Sequence, residues 1–173
     1  MEHYVPDIYK KSIYVIDYNK LKSNGIKCLL FDLDNTLVPY TEKVPSKKVK
    51  DLFKKLNDLG FRVLIFSNSG KKRLTPFKEQ LGVDCCYRCW KPSPKKFLLV
   101  LKEYKYNQSE VAIIGDQLLT DVVGGNGVGI TTILVNPVSK KDSAATKFNR
   151  LREKHIIKRL SKLDLFYKGR YYG

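Results

Sequence analysis

Five short segments rich in apolar residues, each set off from the next by a stretch with helical spacing, constrain this chain more than any other feature. They cover residues 26–31, 61–66, 83–86, 111–114 and 131–135. Runs such as Cys28-Leu29-Leu30-Phe31 and Val111-Ala112-Ile113-Ile114 lack a polar face, as expected of strands covered on both sides. Between them, Val49, Leu52, Phe53, Leu56 and Leu59 recur at helical spacing over 46–59, with Gly60 as a stop. Further helices are predicted over 71–81, from about Pro94, over 118–124 and over 144–165. Strand and helix in strict alternation predict an α/β fold, a Rossmann-like parallel sheet with helices on both faces.

Ligands of such sheets bind beyond the carboxyl ends of the strands. Polar residues cluster at or just after those ends here. The first run delivers Asp32 and Asp34, the second Ser67 and Asn68, and the fourth Asp116 followed by Asp121; Lys91 follows the short third segment. Two carboxylates two residues apart repel unless a cation or proton intervenes. That arrangement suits a metal-assisted nucleophile with an acid/base beside it. A phosphate at this edge would meet a nucleophile, a hydroxyl donor, a fixed cation and carboxylates able to hold Mg²⁺. Turn and cap chemistry accounts for Asn35 and Thr36 more simply than direct catalysis does.

At this point the chain resembles the haloacid dehalogenase (HAD) superfamily of phosphohydrolases. Asp32-Leu33-Asp34-Asn35-Thr36 is similar to its first motif, Ser67 to its second, Lys91 in Trp90-Lys91-Pro92 to its third, and Gly115-Asp116 through Asp121 to its fourth. Pro6-Asp7, Ser12-Ile13-Tyr14, Ile16-Asp17 and Gly25-Ile26-Lys27 extend the likeness to the YqeG-type phosphatases of subfamily IIIA, which are related to phosphatidylglycerophosphatases. The resemblance implies that Asp32 attacks phosphorus to give an aspartyl-phosphate and that Asp34 serves as acid and then base. It also implies that Ser67, Asn68 and Lys91, with Asp32, bind the phosphoryl group. Mg²⁺ would be held by Asp32, the Asp34 carbonyl and Asp116, with Asp121 either supporting that site or binding the ion directly. Cys85, Cys86, Cys89 and Trp90 depart from the smaller or aliphatic residues expected before Lys91-Pro92.

The gaps after the first and second motifs hold a helix, and a helix plus a short strand, so no cap domain is expected. The whole chain, 1–173, reads as one domain with an aromatic lead-in (1–25) and a basic C-terminal helix and tail (138–173). The net charge is +16, and half of it lies in 138–173, where eleven Lys or Arg face three Asp or Glu. Phe148, Leu151, Ile156, Ile157, Leu160 and Leu163 are interleaved with those cations, a pattern suited either to an anionic membrane surface or to packing on the sheet. The expected partner is a phosphate ester, lipid-linked rather than nucleic acid. Phosphatases of nucleic-acid ends or soluble esters, and an idle RNA- or ribosome-binding module, are the alternatives that the charge admits. No membrane span or signal peptide is evident, so a cytoplasmic protein, peripheral at the inner membrane face, is expected. Cys86 and Cys89 have C-x-x-C spacing but no second pair to complete a zinc site.

Overall fold

The computed structural model describes residues 1–173. Six strands form one parallel sheet: β1 (Ile8–Lys10), β2 (Cys28–Phe31), β3 (Arg62–Phe66), β4 (Asp84–Cys86), β5 (Val111–Gly115) and β6 (Thr131–Val135). Their spatial order is β1-β6-β5-β2-β3-β4. The chain steps outward from β2 to β3 and β4, then crosses back to β5 on the other side of β2. The crevice between β2 and β5 is therefore the topological switch point, where α/β sheets bind ligands.

The helices are α1 (Tyr18–Ser23), α2 (Lys47–Asp58), α3 (Lys71–Leu81), α4 (Pro94–Tyr104), α5 (Val123–Val128) and α6 (Ala144–Lys162). Local chemistry sets their ends. Ser46 caps α2 by accepting from Val49 N–H at 3.2 Å, and Gly82, in the left-handed region at φ 62°, closes α3. Alternation along the strands divides the core. Leu29, Phe31, Val63 and Ile65 pack with α2 and α3 on one face, while Leu30, Leu64, Phe66 and Ile113 pack with α4 and α5 on the other.

The five predicted strands are present, and the segments after β2 and β3 carry α2 and α3 with no inserted domain. The structure adds one strand at the start and shows how the expected C-terminal helix is held. Residues 8–10 of the lead-in join the sheet beside β6, with Ile8 opposite Ile133. The C-terminal segment folds onto the body: Leu160 of α6 and Phe166 are buried with Tyr9, Leu118, Val122 and Leu134, and Tyr172 bridges to Tyr9. Three of the apolar residues in the C-terminal segment stay outside this cluster, for Phe148, Leu151 and Leu163 are exposed. No helix is long and apolar enough to cross a membrane.

Candidate active site

Strand β2 ends at Phe31 and hands the chain to Asp32, whose N–H still bonds to the Ile114 carbonyl of β5 at 2.9 Å. Its neighbour Asn35 takes a left-handed turn at φ 61°, which Asn tolerates, and donates its N–H to the Val38 carbonyl at 2.7 Å. This turn directs Asp32 and Asp34 into a cleft of about 470 Å³. Ser67, Asn68, Ser69, Gly70 and Arg73 after β3, Lys91, Gln117 and Thr120 after β5, and Thr146 and Asn149 of α6 complete its lining. Tyr40 and Ala145 are the apolar residues in that lining. A larger cavity, about 720 Å³, opens between α2 and α3 at the far end of β3 and β4. It has none of the carboxylates of the β2–β5 crevice, so the chemistry is assigned to the smaller cleft.

Beneath the cleft a buried ammonium organises the carboxylates. Lys91 Nζ donates to Asp32 Oδ1 at 2.9 Å, to Asp121 Oδ1 at 2.7 Å and to the Phe66 carbonyl at 2.8 Å. Burial disfavours its charge, yet Asp121 and Asp32 outweigh that and hold its pKa above the usual lysine range. Asp32, Asp116 and Asp121 are buried, and one carboxylate oxygen from each lies within 4.8 Å of the other two. Burial raises the Asp32 pKa well above its ordinary value; Lys91 opposes the rise, and Asp121 and Asp116 add to it. Asp116 is pushed up to about 6, again first by burial, with Arg150 working against it. Three carboxylates thus face two cations, Lys91 and Arg150, and the cluster is short of positive charge. A hard, oxygen-seeking divalent cation fits that donor set and that deficit.

Every residue singled out in the sequence comes to this one crevice. Asp32, Asp34, Ser67, Asn68 and Lys91 line the cleft, and Asp116 and Asp121 lie buried beside Asp32. Asn68 is committed to a neighbour: its amide donates to the Lys91 carbonyl at 3.2 Å and accepts from Lys91 N–H at 2.7 Å, fixing the backbone that presents the ammonium. Thr36, read as turn chemistry, also donates to Asp116 Oδ1 at 3.0 Å.

Sequence reasoning missed two arginines. Arg73, on the first turn of α3, donates from Nε and Nη2 to Asp34 Oδ1 at 3.1 and 3.0 Å. Arg150, on α6, pairs with the Asp116 carboxylate and donates to its main-chain carbonyl at 2.7 Å. Position just after the Ser67–Gly70 loop could have flagged Arg73. Arg150 is one cation among many in its segment and carries no local signal.

Comparisons with known proteins agree with this geometry. The HAD-hydrolase-like family model matches residues 88–163. The chain is 37% identical over 159 residues to the protein named "Probable phosphatase YqeG" of Bacillus subtilis (strain 168), covering 92% of each. It is 27% identical over 176 residues to phosphatidylglycerophosphate phosphatase 1, chloroplastic/mitochondrial, of Arabidopsis thaliana; 93% of this chain matches, but only 46% of that protein. Among solved structures, one described as a HAD superfamily (subfamily III A) hydrolase, from Legionella pneumophila, superposes with TM-score 0.53 at 26% identity, covering 71% of this chain and 73% of that one. The chain belongs to the HAD superfamily and is a phosphatase of its YqeG-type branch.

Proposed function

We propose that this phosphatase hydrolyses a phosphate monoester through Asp32, with Mg²⁺, and that its substrate is phosphatidylglycerophosphate at an anionic membrane surface. The observation that carries the chemistry is the buried Asp32–Lys91–Asp121 cluster at the switch point of the sheet. In this reading Lys91 holds Asp32 oriented and balances charge on the bound phosphoryl group, the dominant requirement in phosphoryl transfer. Asp32 attacks phosphorus in line, the ester bond breaks, and an aspartyl-phosphate forms. Asp34 gives its proton to the departing alkoxide and then takes one from the hydrolytic water. Ser67 donates to a phosphoryl oxygen, and Asn68 keeps Lys91 in register. Asp32, the Asp34 carbonyl, Asp116 and Asp121 would hold Mg²⁺, which when bound supplies charge neutralisation at the phosphoryl oxygens.

Three observations support the lipid substrate. One relative carries phosphatidylglycerophosphate phosphatase as its name. Most of the residues that line the cleft carry polar side chains, which suits a glycerol phosphate headgroup with its acyl chains left outside. Finally, α6 runs from the cleft wall at Thr146 and Asn149 and turns its one acid, Glu153, inward. Its exposed face carries Lys147, Arg152, Lys154, Lys158, Arg159 and Lys162, together with Phe148 and Leu151. Basic residues at an anionic surface contribute ~1 kcal/mol each.

The deciding experiment measures phosphate release from phosphatidylglycerophosphate in anionic vesicles and from a soluble aryl phosphate, with and without Mg²⁺. Asp32→Asn should abolish both activities. Reversal of Lys154 and Lys158 to Glu should lower the vesicle rate several-fold more than the aryl phosphate rate. Full activity in Asp32→Asn would refute the mechanism. Equal loss on both substrates in the reversal variant would refute the membrane surface.

A further inference from the structure

The two carboxylates of Asp32-Leu33-Asp34 are held by different cations. Lys91, buried, takes Asp32, whereas Arg73, partly open to the cleft, takes Asp34. Both Asp34 oxygens are engaged, because Ser69 Oγ donates to Oδ2 at 2.7 Å while Arg73 donates twice to Oδ1. The remaining guanidinium nitrogen, Nη1, bonds to the Glu42 carbonyl. This anchors the Arg73 side chain at both ends of its fork. A second guanidinium lies near the loop that leads into α3: a Cβ on Gly70, which lines the cleft, would come 3.6 Å from Arg88 Nε. Arg88 makes no ion pair of its own, and Asp32 and Asp34 are the only carboxylates lining the cleft.

An ester whose scissile phosphate meets Asp32 and Lys91 has its leaving oxygen at Asp34. Whatever the leaving alcohol carries next then reaches the Arg73 side of the cleft. Guanidinium forks bind phosphate oxygens in a planar, bidentate manner. An anion there would take over the donors now given to Asp34, leaving Oδ1 free to face the ester oxygen. We propose that Arg73, with Arg88 near the Gly70 wall of the cleft, forms a second anion subsite on the leaving-group side, selecting phosphate monoesters whose alcohol bears another phosphate. That second group is a monoester in a soluble bisphosphate and a diester in a glycerophospholipid; the subsite reads the feature they share. The inference rests on the roles given above to Asp32 and Asp34.

The test compares kcat/KM for glycerol 1-phosphate, glycerol 1,3-bisphosphate and a short-chain phosphatidylglycerophosphate kept below its micellar concentration, with a soluble aryl phosphate as control. The wild-type chain should favour the two esters that carry a second phosphate over glycerol 1-phosphate by at least about tenfold, the scale of one charge-assisted contact. Arg73→Gln should bring that ratio towards one, Arg73→Lys should restore part of it, and Arg88→Gln should reduce it several-fold. If the bisphosphate alone is favoured, the subsite reads soluble monoesters; if both are, it also accepts the lipid diester. A ratio unchanged in Arg73→Gln and Arg88→Gln would overturn the proposal. Calorimetric titration of the Asp32→Asn protein with glycerol 1,3-bisphosphate and glycerol 1-phosphate reads the same preference without turnover. It therefore decides the subsite even if no ester, the aryl phosphate included, is hydrolysed and the Asp32 assignment falls. Should circular dichroism find Arg73→Gln unfolded, the Arg73→Lys and Arg88→Gln ratios decide between a subsite and none.

Discussion

Arg150 grips Asp116 twice, through the carboxylate and through the main-chain carbonyl, although 34 residues separate them in sequence. The same guanidinium reaches Glu153 Oε2 at 3.3 Å, and Glu153 accepts from Leu119 N–H at 3.1 Å. The last helix therefore clamps the loop that carries the fourth motif.

Arg150→Ala should loosen this clamp and leave Asp116 buried without its cation. Removing one partner of a buried pair costs about 3–5 kcal/mol. The side chain is still partly accessible, so the lower end of that range is expected. Urea unfolding should show the loss. A Mg²⁺ titration of activity should show half-saturation at higher concentration, because the Asp116 loop is less well held.

Lys91→Met should be more damaging. Its ammonium is the shared partner of Asp32 and Asp121, all three being buried. The metal-free variant should lose about 3–5 kcal/mol and all activity. Added Mg²⁺ should recover part of the lost Tm but none of the turnover, since the cation replaces charge and not the ammonium's contact with the phosphoryl group. A Tm that ignores Mg²⁺ would count against cation binding by this cluster.

Gly115→Ala tests how tightly β5 ends. A Cβ there would come 2.1 Å from Asp121 Cγ, so Asp121 must move and its bond to Lys91 must break. Overpacking of this kind costs about 1–3 kcal/mol. Activity should fall by more than that stability loss explains, measured as kcat at a temperature where the variant is fully folded.

The pH dependence follows from Asp116. Its pKa in the metal-free fold is about 6, above the ordinary 3.8. The folded state thus holds this proton more readily than the unfolded chain. The proton's contribution to metal-free stability is complete below about pH 4 and disappears as pH rises through about 6. Protons and cation compete for the same carboxylate, so Mg²⁺ affinity should weaken as pH falls below about 6, by up to about tenfold per unit. Titrations at pH 7.5 and pH 5 would check both signs.

The chain of apolar segments made the sheet legible in advance, because strands buried on both faces must read as near-continuous apolar runs. The carboxyl-end rule then located Asp32, Ser67, Lys91 and Asp116 together. Strand β1 escaped because Ile8-Tyr9-Lys10 is too short for any period to register, and its pairing with β6 is decided by tertiary contact. For α6 the sequence left two readings, a helix on an anionic membrane surface and one packed on the sheet, and the structure shows the packing on one face. Glu153 and Leu160 are buried while Phe148 and Leu151 are exposed. Arg150 was illegible as a site residue because a cation's partner across tens of residues leaves no mark on its own neighbourhood, whereas Arg73 had only its place after the Ser67–Gly70 loop to mark it.

The reach of Arg150 back to Asp116 also sets when the protein becomes competent. Synthesis proceeds from the N-terminus, and domains fold as their parts emerge. A nascent chain released through β6 already carries Asp32, Asp34, Ser67, Lys91 and Asp116, yet its fourth-motif loop lacks the Arg150–Glu153 clamp. Nor can Tyr9 find Leu160, Phe166 and Tyr172, which close the far edge of the sheet. The ribosome-bound intermediate should be idle and the outer edge of β1 open, so that hydrolytic activity begins only once the final helix has left the exit tunnel.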